Sequence, residues 1–183
     1  MVADVRSSPY SRFNPQFNQD ALERALKERG IGYVFLGKEL GARSDDRACY
    51  EAGKVRYQRL AQTGLFKSGI ERVQAGAGKY RLALMCAEKD PVDCHRTLLV
   101  SRALERLGIP VRHILADGKL ESQAEAMQRL LSLVGLPESD LFRSQEELIA
   151  AACALQEGRI AYKDEGMRQP VSRRSEPWTS RDA

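Results

Sequence analysis

At 183 residues with 43% hydrophobic side chains, the chain can bury one substantial core, which excludes a fully disordered protein and fits one domain with a tail. A formal charge of +4 among 30% charged residues of mixed sign leans only weakly toward anionic partners. The four cysteines, Cys49, Cys86, Cys94 and Cys153, are irregularly spaced; with no signal peptide and no membrane-length apolar run, they indicate a reduced, cytoplasmic protein without a disulfide framework.

Residues 2–5 form a short apolar run that predicts a strand, followed by Arg6, Ser7, Ser8 and Pro9. Asn18 is placed to cap a helix reaching Arg29, with Ala21, Leu22, Ala25 and Leu26 on its apolar face. Gly30 closes that helix, residues 31–36 read as a second strand, and residues 37–53 as a charged loop. Gly64 and Gly69 interrupt the following helical pattern, so two helices are expected over residues 55–62 and 67–74. A third strand over residues 80–85, a turn at residues 88–91 and a helix over residues 97–107 come next. Residues 111–115 read as a fourth strand, Asp117-Gly118 as a turn, and residues 123–134 and 145–156 as amphipathic helices. Strands alternating with helices predict an α/β fold: a three-layer, mainly parallel sheet flanked by helices on both faces. This single domain is expected to span residues 1–162, and the polar stretch 163–183, with Pro170 and Pro177 and no apolar period, to be a disordered tail.

Two loops carry the candidate chemistry. The first, after the first strand, holds Asp4, Arg6, Ser7, Ser8, Ser11, Arg12 and Asn14; the second, after the third strand, holds Cys86, Glu88, Cys94, His95 and Arg96. Parallel strands project their carboxyl ends to one edge, where ligands of open α/β sheets bind, so both loops are expected to line one pocket. Arg6, Arg12 and Arg96 suit phosphate or carboxylate, the helix start after Cys94 adds unpaired N–H groups, and Asp4, Ser11 and Asn14 complete the ligand-binding set. Asp4 has a second reading, pairing with Arg6 or Arg12 to hold the loop. Gly37, Glu39 and Gly41 would form a third lip of the cleft.

Glu88 and His95 are candidates for general acid and base, and Cys94, at a helix start beside Arg96, for a nucleophile. Free cysteines are also often packed core residues, a reading open for Cys86 and Cys94 and favoured for Cys49 and Cys153. Cys86, Cys94 and His95, with Glu88, are zinc-type ligands too. Adjacent Cys94 and His95, however, would leave a helix start in different directions, and no second C-x-x-C pair is present. No metal is therefore assigned, with Cys86, Cys94 and His95 as the alternative ligand set.

The strings VADVRSSPYSRFNPQFN, GIGYVFLGKELG, VRYQRLAQTGLFKSGIERV, LALMCAEKDPVDCHRTLLVSRAL, VRHILADGKLE and DLFRSQEEL resemble successive landmarks of the DUF488 family. The resemblance implies motif positions at Asp4, Arg6, Pro9, Ser11, Arg12, Phe13, Asn14, Cys86, Glu88, Cys94, His95 and Arg96. It implies a fold class and a site location rather than a reaction. Members usually begin with a further strand and helix and a Gly-His-Ser-like turn, whereas this sequence begins on what would be the second strand. The expectation is an upstream translation start, or a sheet completed by self-association through an exposed edge strand.

The plan is also similar to rhodanese-like domains, whose strand ending in Asp-x-Arg matches residues 2–6. Their cysteine loop is shorter: here Cys86 lies ten residues before Arg96, with Pro91 between. The sequence thus predicts an anion-binding pocket acting on a nucleotide or nucleic acid component, with a phosphate-bearing small molecule or nucleic acid as partner and no membrane. Two alternatives stand beside it: a noncatalytic binding module with the same residues locked in a salt-bridge lattice, and sulfur or phosphoryl transfer through a cysteine.

Overall fold

The computed structural model describes residues 1–167. Strand β1 (Val2–Asp4) lies at the centre of a three-stranded parallel sheet, between β2 (Tyr33–Phe35) and β5 (Ala83–Met85). Ala3 pairs with Val34 on one side and Leu84 on the other, and is fully buried, as a strand covered on both faces requires. The protein is therefore α/β with a small parallel sheet.

Helix α1 (Gln19–Glu28) starts at Asn18 as expected, but the Asn18 carboxamide oxygen accepts from the Ser11 N–H at 2.6 Å instead of from the helix. No residue of α1 is buried. The charged stretch after β2 is more ordered than a loop: it contains α2 (Gly37–Leu40), a 3₁₀ turn at Arg47–Cys49, and a hairpin of β3 (Tyr50–Glu51) and β4 (Lys54–Val55). After α3 (Tyr57–Leu60), α4 (Gly64–Ala77) runs unbroken through Gly69. A Cβ there would lie 2.6 Å from the Cβ of Glu39, so Gly69 is a packing site for α2 and not a helix break. Thr63 caps α4, its hydroxyl accepting from Phe66 N–H at 3.1 Å.

The expected fourth strand leaves the parallel sheet. β6 (Arg112–Ile114) pairs antiparallel with β7 (Leu120–Ser122) through a tight turn at Gly118. A short connection closes an antiparallel pair at little entropic cost, and that local pairing replaces a crossover partner. The outer edge of β5 is left unpaired by any strand among the described residues.

α6 (Gln123–Val134) and α7 (Gln145–Ile160) each begin with a serine capping box, Ser122 with Glu125 and Ser144 with Glu147. They bury Leu130, Leu131, Leu148 and Ala152 completely, in one apolar cluster with Ala3, Val5, Leu36 and Val100. The ordered chain passes the expected end of the domain: Lys163 bridges to Lys54, and the Asp164 N–H donates to the Gly53 carbonyl at 2.8 Å. Residues 168–183 of the expected tail lie outside the described residues. No described helix is long and apolar enough to cross a membrane.

Candidate metal centre

The two loops meet because β1 and β5 are parallel neighbours and release their chains at the same edge. The stitch is His95, whose Nε2 lies 3.2 Å from the Val5 carbonyl oxygen at the end of β1. Between the loops is a polar cavity of ≈ 230 Å³ whose wall includes Arg6, Ser7, Ser8, Cys86, Glu88 and His95.

In the first loop, Asp4 and Arg6 are buried and bound to each other in a fork, Arg6 Nε to Asp4 Oδ1 at 2.9 Å and Nη2 to Oδ2 at 2.6 Å. Tyr33 Oη donates to Asp4 Oδ2 at 2.8 Å, and Arg6 Nη2 also donates to the Phe17 carbonyl at 2.9 Å. The bond to Asp4 raises the Arg6 pKa, and burial raises that of Tyr33. Of the residues read as ligand-binding, Arg6 lines the cavity, while Asp4 lies behind it as the anchor of Arg6. Ser11 Oγ accepts from the N–H groups of Phe13 and Asn14, at 3.2 and 3.3 Å, and so shapes the loop tip. Arg12 is exposed over the Phe13 ring, 4.8 Å from its centroid. Neither Ser11, Arg12 nor Asn14 lines the polar cavity. The Gly37 lip serves packing, since a Cβ there would lie 2.0 Å from the Arg6 carbonyl oxygen, and Glu39 pairs with Arg72.

The second loop gathers its chemistry at one point. One donor atom each from Cys86, Glu88, Cys94 and His95 lies within 4.8 Å of all the others. Cys86 Sγ is 3.6 Å and Cys94 Sγ 4.0 Å from His95 Nδ1, and the Cys94 thiol donates to Glu88 Oε2 at 3.1 Å. The objection that adjacent Cys94 and His95 must diverge fails on backbone geometry. Cys94 is extended (φ −125°, ψ 136°) and only His95 has helical angles, so the two side chains are not placed by one helix. The chain continues as a π-helical turn, Arg96–Ser101, into α5 (Arg102–Arg106). π-Turns are rare and concentrate at functional sites.

Cys94 is fully buried and His95 nearly so, Cys86 is half-buried, and Glu88 is exposed, so the cluster opens to solvent on its carboxylate side. The hydrogen bond from Cys94, followed by His95, lowers the Cys86 thiol to about 6, while the Cys86 bond and burial push Cys94 up. Burial opposes ionisation of Glu88, but its bonds with Cys86 and Cys94 outweigh it and lower its pKa. Burial likewise disfavours the imidazolium of His95, and Cys86 more than offsets it, raising that pKa.

Residues from distant elements hold this loop. Arg129 on α6 binds both Asp90 oxygens at 3.0 and 2.9 Å and both Glu121 oxygens at 2.8 and 2.9 Å. Gln156 on α7 donates to the Val92 carbonyl at 3.3 Å and to Asp93 Oδ1 at 2.7 Å. Tyr57, Arg43 and Tyr162 also line the cavity, Arg43 lying over the Tyr162 ring at 4.2 Å. Sequence reasoning missed these residues, for they lie on helices and turns remote from either motif and no local spacing marks them. Arg96 goes elsewhere: it lines a different cavity, on the far side of Cys86.

A family model described as Domain of unknown function DUF488 matches residues 1–103, which include both loops and the whole donor cluster. The chain belongs to this family. No curated protein and no solved structure matches it. The DUF488 match thus stops within α5, and the α6 and α7 residues that pin the cysteine loop lie beyond it.

Proposed function

We propose that Cys86, Cys94 and His95 of this DUF488 chain hold a divalent, zinc-type cation, and that Glu88 stands at its open position as general base. The observation that carries this is the orientation of His95. Its Nε2, 3.2 Å from the Val5 carbonyl, keeps the ring proton, which turns the Nδ1 lone pair toward the two thiols. Metal-binding histidines are fixed by such a bond from the second ring nitrogen. Metal–sulfur and metal–nitrogen bonds of about 2.3 and 2.0 Å put tetrahedral S and N ligands about 3.5 Å apart. The separations of 3.6 and 4.0 Å are close to that geometry.

Three protein ligands and a solvent-facing fourth position are the pattern of a catalytic site, where the cation acidifies bound water and a carboxylate takes its proton. The polar cavity of ≈ 230 Å³ is smaller than a drug-sized pocket, so it admits a head group while the rest of the substrate stays outside. Arg43, Ser7 and Ser8 on its wall suit phosphate, which supports hydrolytic action on a nucleotide or nucleic acid component. Free thiolates persist where cysteines stay reduced, which supports a cytoplasmic setting.

Transfer chemistry through a metal-free Cys86 thiolate is the second reading, favoured by its pKa of about 6. Against it, Arg96 does not close an anion loop around Cys86 from the polar side. Glu88→Gln in the zinc-loaded protein separates the two. Metal content should persist while turnover of a phosphate-ester panel falls about 10²-fold or more. Unchanged turnover in Glu88→Gln, or alkylation of Cys86 that ignores chelator, would favour thiolate chemistry instead.

A further inference from the structure

A cavity of ≈ 550 Å³ lies between the unpaired edge of β5 and β6, with Val73, Leu84, Leu104, Ile109 and Val111 on its wall. That volume is within the range of small-molecule pockets, and most of its side chains are apolar. Two cations lie on it, Arg112 exposed at the rim and Arg96 deeper. Arg96 is half-buried, and its guanidinium has no hydrogen bond or ion pair among the described residues. A partly desolvated cation beside an apolar cavity costs free energy, and one anionic group bound against it would recover it.

We propose that this cavity binds an amphipathic anion, its carboxylate or phosphate on Arg96 and its hydrocarbon body along Leu84, Leu104 and Ile109. A β-strand filling the gap would pair the free edge of β5 but would leave the cation unanswered, and inorganic phosphate would leave the apolar wall wet. The site goes beyond the metal centre and does not depend on it. Cys86 is the one residue of the donor cluster on its wall.

Calorimetric titration of the full chain with decanoate, decyl phosphate, decanol and inorganic phosphate tests this. Decanoate or decyl phosphate should bind, and whichever binds tighter identifies the head group. Decanol and inorganic phosphate should each bind at least about tenfold more weakly, as expected for loss of one charge-assisted bond or of the apolar contact. Arg96→Gln should weaken the better ligand about tenfold or more, and Arg24→Gln on exposed α1 not at all. The affinity should be the same with chelator present, which separates this site from the metal reading. If Arg96→Gln does not fold, hydrogen exchange of the wild type with decanoate should still slow the amides of Leu84 and Ile109. No binding by either anion, equal affinity for decanol, or unchanged affinity in a folded Arg96→Gln protein would overturn the proposal.

Discussion

The two loops at the carboxyl edge are both rich in polar residues and differ in what they do. The loop after β1 spends its charges on itself: Arg6 is forked onto Asp4, Tyr33 and Phe17 close around the pair, and Arg12 is left outside over Phe13. The loop after β5 spends its charges on other elements. Asp90 and Asp93 bind Arg129 and Gln156, which frees Cys86, Glu88, Cys94 and His95 to converge. Polar residues placed at a sheet edge therefore make a site only where something else satisfies the loop's own structural needs.

Removing the internal anchor of the first loop should have the largest effect on folding. Asp4→Ala leaves the Arg6 guanidinium, which is 8% exposed, without its carboxylate, and should cost about 3–5 kcal/mol in urea unfolding. A loss below about 1 kcal/mol would mean that the pair is dispensable and that the loops are not built differently. In the second loop, Arg129→Ala should cost less in folding than Asp4→Ala and should also act on the site. Arg129 and Asp90 are each more than a third exposed, so solvent screening holds that pair to about 1 kcal/mol, but Glu121 is only 10% exposed and would lose its partner, so the total loss should be about 2–3 kcal/mol. Loss of a group that orients the ligand loop should lower zinc affinity about tenfold, measured by chelator competition.

The same pair gives a pH signature. Arg129 holds the Asp90 carboxyl below its ordinary range, so its contribution is present above the unfolded pKa of about 4 and is lost as pH falls through the lower folded value. The stability gap between wild type and Arg129→Met should be constant near neutral pH and narrow below about pH 4. A gap that widens in acid would contradict the assignment. The smallest effect is expected at the exposed tip, where Arg12→Ala should change stability by less than about 0.5 kcal/mol and leave zinc affinity unchanged. A tenfold loss of zinc affinity there would draw the first loop into the centre after all.

Much of this was legible from the residues. Helical periodicity placed α6, and the apolar runs placed the parallel strands β1, β2 and β5 close to where they lie. The meeting of the two loops followed from parallel topology. β6 was misplaced because a strand's period does not say which edge it will join, and the short turn to β7 decided that. Gly69 was misread because a glycine in a helix looks the same in sequence whether it breaks the helix or lets α2 approach. The donor cluster was discounted for want of one backbone detail, the extended conformation of Cys94, which spacing alone does not encode. Arg96 carries the same lesson, since it neighbours His95 in sequence and lines a different cavity.

Metal stoichiometry tests the central claim most directly. The wild-type chain, reconstituted with zinc and freed of excess, should carry one ion per chain by inductively coupled plasma mass spectrometry, and His95→Ala and Cys94→Ser should each carry essentially none while still folding. Alkylation of Cys86 in the wild type should be slow with zinc bound and become fast on adding chelator. A wild-type chain that takes up no ion, or a folded His95→Ala chain that keeps it, would contradict the metal centre.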